Sequence, residues 1–257
     1  MTDSSLANRL RRLYGNARRL SRGLRRWFRR KLRPFGGVDH GDLWRTAPIS
    51  TDWGFDRGLP IDRYYIETFL ARYATDIRGH TLEFLDNNYT RRFGGARVTR
   101  SDVLHHQPGN PKATLVADLS RDNDLPDNTF DCIICTQTLT FIYDLRAAIA
   151  CLHRILKHDG VLLVTVPGIT RTSPEDKSRG GDFWRFTTES TGYLFREHFS
   201  EPQMNITSYG NVLAASSLLY GIAAEELGGD RLDIYDENYP VLVSVRAVKT
   251  GTAAHNT

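Results

Sequence analysis

Apolar and polar positions follow two periods along this chain. Over residues 61–73 the side chains Ile66, Phe69, Leu70 and Tyr73 recur at helical spacing. Residues 145–156 repeat that spacing with Leu145, Ala148, Ile149, Leu152, Ile155 and Leu156, and Lys157-His158-Asp159-Gly160 reads as the stop signal. Short apolar runs at 81–85, 96–101, 113–117, 132–135 and 161–166 read as strands. Two later runs, 204–208 and 241–248, flank a helix-like stretch at 212–227. Strands alternating with helices predict an α/β domain: a Rossmann-like, mostly parallel seven-stranded sheet with helices on both faces.

A different pattern precedes this. Leu6, Leu10, Leu13, Tyr14, Ala17, Leu20, Leu24, Trp27, Phe28 and Leu32 recur at steps of three and four, and Pro34-Phe35-Gly36-Gly37 ends the run. Twelve of the chain's 34 basic residues fill the span 9–33, which holds no acidic residue. The pattern predicts a basic amphipathic helix, and residues 6–33 fit the surface of an anionic membrane. A solvated tail and non-specific nucleic-acid contact stay open as readings. Beyond this arm, 22 basic side chains face 29 of the 30 acidic ones, so the body is acidic although the whole chain carries +4. That balance argues against specific nucleic-acid recognition by the body.

A length of 257 residues with 40% hydrophobic content allows one sizeable core. The expected organisation is an arm over 1–36, one domain over 37–249 and a polar tail over 250–257. No run of eighteen apolar residues and no secretory h-region are present, and three cysteines make no disulfide framework. The expected location is the cytoplasm, peripheral to the inner face of the membrane if the arm binds there. Cys132 and Cys135 spell C-x-x-C, but three residues apart on a strand they point to opposite faces, which favours packing over metal or dithiol chemistry. No metal site is expected, and the oligomeric state is not legible.

In an open parallel sheet the ligand lies beyond the C-terminal strand ends. Asp86-Asn87-Asn88-Tyr89 follows the first strand, Asp102 is expected to end the second, and Asp118 the third; Thr136-Gln137-Thr138 follows the fourth. A carboxylate about twenty residues beyond the first strand can accept hydrogen bonds from both hydroxyls of a ribose, and its neighbour can accept from an adenine amino group.

The stretch 117–167 then carries a family resemblance. It reads Ala-Asp-Leu, Asp124-Leu125-Pro126-Asp127-Asn128-Thr129-Phe130-Asp131, Thr136-Gln137-Thr138-Leu139, Arg154-Ile155-Leu156-Lys157-His158-Asp159-Gly160 and a strand closing on Pro167. This resembles class I S-adenosylmethionine-dependent methyltransferases acting on small molecules. The resemblance implies that Asp102 holds the ribose of S-adenosylmethionine, that Asp118 and the Leu119 backbone read adenine, and that Thr136 and Gln137 lie under the sulfonium. Glu83 stands at the family's first acidic position, but Phe84-Leu85-Asp86-Asn87-Asn88-Tyr89-Thr90-Arg91-Arg92-Phe93-Gly94 lacks the family's alternating glycines. Asp86 is then expected near the cofactor's ammonium, with Tyr89 or Arg92 near its carboxylate.

The segments 57–67 and 181–187 are similar to a bacterial subgroup of these enzymes that accompanies glycosyltransferases in making polysaccharides or glycolipids. A sugar, glycan or glycolipid hydroxyl is therefore the expected acceptor. Phe183, Trp184 and Phe186 would stack on it, and Arg185 would bind an anionic group. The other reading of this loop is that it starts the next helix at Thr187-Thr188-Glu189. A hydroxyl acceptor needs its proton removed, and His105, His106 and Asp182 are the candidate catalytic bases. A nicotinamide-linked oxidoreductase lacks its G-x-G-x-x-G here. The remaining alternative is a non-catalytic methyltransferase-like scaffold whose first loop no longer holds cofactor.

Overall fold

The computed structural model describes residues 41–173 and 181–250. The expected basic arm over 1–36, and the tail from 251, lie outside the described residues. A 3-10 turn at Gly41–Trp44 belongs to a unit ending at Thr46, and the unit beginning at Ala47 carries the elements that follow. No helix among the described residues is long and apolar enough to cross a membrane.

Seven strands, β1 (Gly79–Phe84), β2 (Val98–His105), β3 (Leu115–Val116), β4 (Phe130–Thr136), β5 (Leu156–Pro167), β6 (Met204–Tyr209) and β7 (Leu242–Val248), form one sheet in the order β3-β2-β1-β4-β5-β7-β6. The pairs from β3 through β5 are parallel, whereas β7 pairs antiparallel with both neighbours, so it alone runs against the rest. This is the Rossmann-like methyltransferase fold with its mostly parallel sheet.

The sheet is buried on both faces, which is why its central strands are nearly continuous in hydrophobic residues. Leu82, Ile133 and Leu162 lie side by side across β1, β4 and β5 and join one core; Cys132, Ile134 and Leu163, one residue out of phase, join the other. Helix α1 (Ile61–Arg72) covers the second core with Ile66, Phe69 and Leu70, and α2 (Leu145–Ile155) covers the first with Ile149, Leu152 and Ile155. Each such side chain contributes roughly 1.5–3 kcal/mol when fully buried. Cys132 and Cys135 fall in opposite cores, and both are free thiols, as their strand spacing required.

Local signals explain the element ends. Asp144 caps α2 by accepting from the Ala147 amide at 3.0 Å. The expected helix over 212–227 is split into α4 (Val212–Tyr220) and α5 (Ala224–Leu227), with α3 (Thr188–Phe195) before it and α6 (Gly229–Leu232) after. The cause is Gly221, whose φ of +70° closes α4 and whose absent Cβ leaves room for the Ser50 carbonyl. The supposed stop at 157–160 is instead the start of β5, where Lys157 binds both oxygens of Asp131 at 2.9 Å and Asp159 turns the chain at φ +60°.

Candidate functional site

The C-terminal ends of β1, β2, β3 and β4 bring Leu85, His106, Ala117 and Gln137 to one end of the sheet. The loop after β1 is built on Glu83. Its side chain is buried, and its carboxylate accepts from the backbone amides of Tyr89 at 3.1 Å and Thr90 at 2.7 Å. Burial pushes this carboxyl up to about 7 against those two bonds. Glu83 thus folds the loop rather than presenting itself to a ligand.

The loop turns sharply at Leu85, which adopts φ +70° while leaving its side chain largely in solvent. A branched residue in this region is strained, and its position marks where glycine would be favoured. Asn110 donates to the Leu85 carbonyl at 2.7 Å; Asp86 accepts from the Asn88 amide at 3.0 Å and lies 3.4 Å from Lys112. The hydroxyl of Tyr89 accepts from Arg63 at 2.7 Å. Arg92, a sequence candidate for binding a carboxylate, pairs with Glu67 at 2.6 Å.

Asp102 does not end its strand. β2 continues to His105, and Asp102 sits within it opposite Leu82. Its oxygens are taken by His80 Nε2 at 2.6 Å, by the Thr114 hydroxyl at 2.8 Å and by Arg100 at 3.1 Å. Burial works to raise this carboxyl, but the bonds from His80 and Thr114 and the charge of Arg100 outweigh it and hold the value below the ordinary range. The strand is longer than expected because Thr114, which also bonds both backbone groups of Val103, gives the buried carboxylate a partner. Asp102 and Asp118, the latter bound to Ser120 and Arg121, share no partner.

The side chain that stands beside Asp118 is His106, just past the end of β2. Its imidazole is held below its usual range by burial and by His105, with Asp118 opposing, and the two histidine rings lie 4.7 Å apart. Asp118 itself accepts from the Ser120 amide at 2.9 Å and hydroxyl at 2.6 Å, which keep its carboxyl low, and its side chain is 43% exposed. Arg121 lies 3.3 Å from its Oδ2, and the exposed edge of the carboxylate leaves room for a further donor. Leu119 next to it is in the core. After β4, Thr136 pairs with Thr165 of β5, and Gln137 turns at φ +51° while donating its amide to the Thr165 carbonyl at 2.8 Å.

The loop over 181–187 is held from within. Asp182 is 2% exposed at its side chain and binds Arg185 at 2.5 Å, and it also accepts the Ser173 amide at 2.9 Å. The bond from Arg185 keeps the Asp182 carboxyl low. Arg185 donates further to the Thr140 hydroxyl and the Arg171 carbonyl; Trp184 donates its indole N–H to Ile142 at 3.0 Å; Phe186 is in the core. Thr187 caps α3 in a reciprocal bond with Ser190, so the helix-starting role is real. The exposed aromatic surface here is Phe183 with Tyr143, their rings 5.4 Å apart. Tyr143 escaped the sequence reading because it is a single residue between two elements, and Asp62 and Arg63 because they look like an ordinary first helical turn.

A groove of about 610 Å³ opens elsewhere, beyond the end of β6, lined by Asn211, Leu213, Arg231, Ile234, Tyr235 and Asn238. It shares no residue with the ends of β1 to β4. Among the described residues no group of three or more His, Cys, Asp or Glu could hold a metal ion.

Residues 73–164, which contain β1 through most of β5, match the family model for a methyltransferase domain. The chain carries a class I methyltransferase domain. Such a methyltransferase uses S-adenosylmethionine as its cofactor. The chain is 27% identical over 122 residues to the arginine hydroxylase NDUFAF5 of rat mitochondria, which covers 48% of this chain and 29% of that relative. It therefore spans less than a third of the relative's length. Among solved structures it is similar to the Haemonchus contortus phosphoethanolamine N-methyltransferase 2, at 14% identity and TM-score 0.49 over 73% of this chain and 53% of the other. It is also similar to a methyltransferase from Thermotoga maritima, at 16% identity and TM-score 0.48 over 76% and 95% of the two chains. The [4+2]-cyclase SpnF matches at 16% identity and TM-score 0.48 over 76% and 85%.

The residues present fit this cofactor at the nucleoside end. Asp118 keeps a low carboxyl and is partly exposed beside Ser120 and Arg121, Glu83 fixes the first loop, and the backbone turns at Leu85 and Gln137 follow two strand ends. Asp102 departs from the expected arrangement because its oxygens are already bonded.

Proposed function

We propose that this methyltransferase passes a methyl group to a hydroxyl of a sugar, glycan or glycolipid. The observation that carries the acceptor class is the exposed Tyr143–Phe183 pair, two rings set edge to face, either of which offers a face that can stack on a sugar ring. Arg185 and Asp182 support it by binding the Ser173 amide and the Trp184 carbonyl. In this reading Asp118 accepts from the adenine amino group, the Leu119 backbone reads the ring edge, and His105 and His106 border the nucleoside. Thr136 and Gln137 orient the reacting end.

S-adenosylmethionine supplies an electrophilic methyl group, and much of the acceleration comes from holding the acceptor in line with it. Of the three side chains expected to take the acceptor's proton, Asp182 is committed to Arg185. His106, its imidazole held below the usual range by burial, borders the nucleoside in this reading rather than the acceptor. The basic arm over residues 6–33 would keep the enzyme at an anionic membrane where lipid-linked sugars lie, on the cytoplasmic side.

One observation favours a second reading. The strained Leu85, tied to Asn110, stands where a glycine would let a ligand approach the backbone, as in a scaffold that has lost its cofactor. The discriminating experiment incubates the full chain with radiolabelled S-adenosylmethionine and cell-envelope glycans or glycolipids. A product heavier by one methylene, about 14 mass units, supports the proposal. A gain of one oxygen, activity confined to non-sugar acceptors, or no cofactor binding contradicts it.

A further inference from the structure

Two charged groups beside the first loop lack the partners their burial calls for. Asp62 and Arg63 are consecutive in the first turn of α1. Asp62 Oδ1 is shut off from water and has no hydrogen-bond partner, although other parts of the residue reach solvent. Burial drives its carboxyl above the ordinary range, against the charge of Arg63 and the backbone amides of Arg63 and Asp62. A buried carboxylate oxygen without a donor is destabilising, because it has given up water and gained no partner.

Arg63 shows the complementary deficiency. Its guanidinium lies between the rings of Phe55 and Tyr89, 5.9 and 5.8 Å from their centroids, and donates to the Tyr89 hydroxyl at 2.7 Å. Among the described residues it forms no ion pair within 4 Å, with Asp62 or any other acid. Guanidinium offers five donors in a planar fork, matched to a carboxylate that accepts two at once. The adjacent acid and base thus form no ion pair with each other, and Arg63 reaches the loop that follows β1 through Tyr89. Glu83 holds the Tyr89 amide, and Tyr89 in turn holds Arg63.

A ligand bearing a carboxylate and an ammonium on one carbon would satisfy both groups. We infer that Asp62, Arg63 and Tyr89 form a clamp for a free α-amino acid group, Arg63 and Tyr89 taking its carboxylate and Asp62 its ammonium. On the cofactor reading above, that group is the methionine end of S-adenosylmethionine. The clamp replaces the backbone contacts that a glycine-rich first loop would make, and it relieves Asp86, already engaged with Asn88 and Lys112, of the ammonium. The ordinary reading, an N-terminal acid favoured by the helix dipole, explains the presence of Asp62 but not an unpartnered oxygen beside an unpaired guanidinium.

The test titrates the full chain with S-adenosylhomocysteine and with 5′-methylthioadenosine, which shares the nucleoside and sulfur but lacks the amino acid group. Wild type should prefer the former at least tenfold. Arg63→Met and Asp62→Asn should each cut that preference at least fivefold while leaving the 5′-methylthioadenosine affinity within twofold, which also certifies that the variants fold. Arg63→Lys should fall between. Wild type binding both ligands equally, or variants that keep the wild-type preference, overturns the clamp alone. Wild type binding neither ligand overturns the cofactor reading as well, and the clamp with it.

Discussion

His80 Nε2 lies 2.6 Å from the Asp102 carboxylate and ties the start of β1 to the middle of β2. The same carboxylate receives Thr114, so one buried acid fastens β1, β2 and the approach to β3. Its function is structural cohesion at this edge of the sheet.

Asp102→Asn should therefore destabilise the fold by roughly 1–3 kcal/mol while changing cofactor affinity little. Because the folded carboxyl lies below its ordinary value, this contribution is present above the unfolded carboxylate range and lost as pH falls through the folded value. Urea midpoints at pH 7 and at pH 3, for wild type and variant, measure it. The two proteins should converge at the lower pH.

Glu83 predicts the opposite dependence. Its carboxyl is raised from 4.5 to about 7, so the folded state holds a proton that the unfolded state has released. Stability on the order of 3 kcal/mol, fully present below about 4.5, should be lost as pH rises to about 7. Glu83→Gln should flatten the curve between pH 5 and 8. Gln can accept only one of the Tyr89 and Thr90 amides, so it should also weaken cofactor binding.

Leu85→Gly should stabilise the protein by about 0.5–1 kcal/mol. Relief of a left-handed leucine, worth about 1–2 kcal/mol, is partly offset by the unfolded-state entropy of glycine. Little is lost in packing because Leu85 is exposed. A rise in melting temperature with unchanged or tighter S-adenosylhomocysteine binding is the expected pair of results.

Phe183→Ala and Tyr143→Ala should raise KM for the acceptor severalfold, with cofactor affinity unchanged. Arg185→Ala should behave differently, because it leaves the buried Asp182 carboxylate without its cation and should cost about 3 kcal/mol or more of stability. Kinetics set against thermal denaturation separate the two classes.

Periodicity made the fold legible: each of the seven strands begins or ends within a few residues of its apolar run, and Cys132 and Cys135 face opposite ways as a two-residue repeat requires. The ends were harder to read. Asp102 looked like a strand terminus because polar residues ordinarily stop a buried strand, and its partners His80 and Thr114 lie too far along the chain to signal themselves. Gly221 broke a helix for the sake of Ser50, distant in sequence. In the site, Asp118 and His106 could be placed from their positions after strands. The engagement of Trp184, Arg185 and Asp182 with Thr140 and Ile142, and the isolation of Asp62 and Arg63, arise from tertiary contacts alone.

Amide hydrogen exchange of the full chain, with and without saturating S-adenosylhomocysteine, tests most directly where the cofactor lies. Protection confined to residues 61–64, 84–90, 105–106, 117–121 and 136–138 is the expected outcome. Protection at residues 231–238, around the groove beyond β6, or no protection anywhere, would contradict a nucleoside site at the ends of β1 to β4.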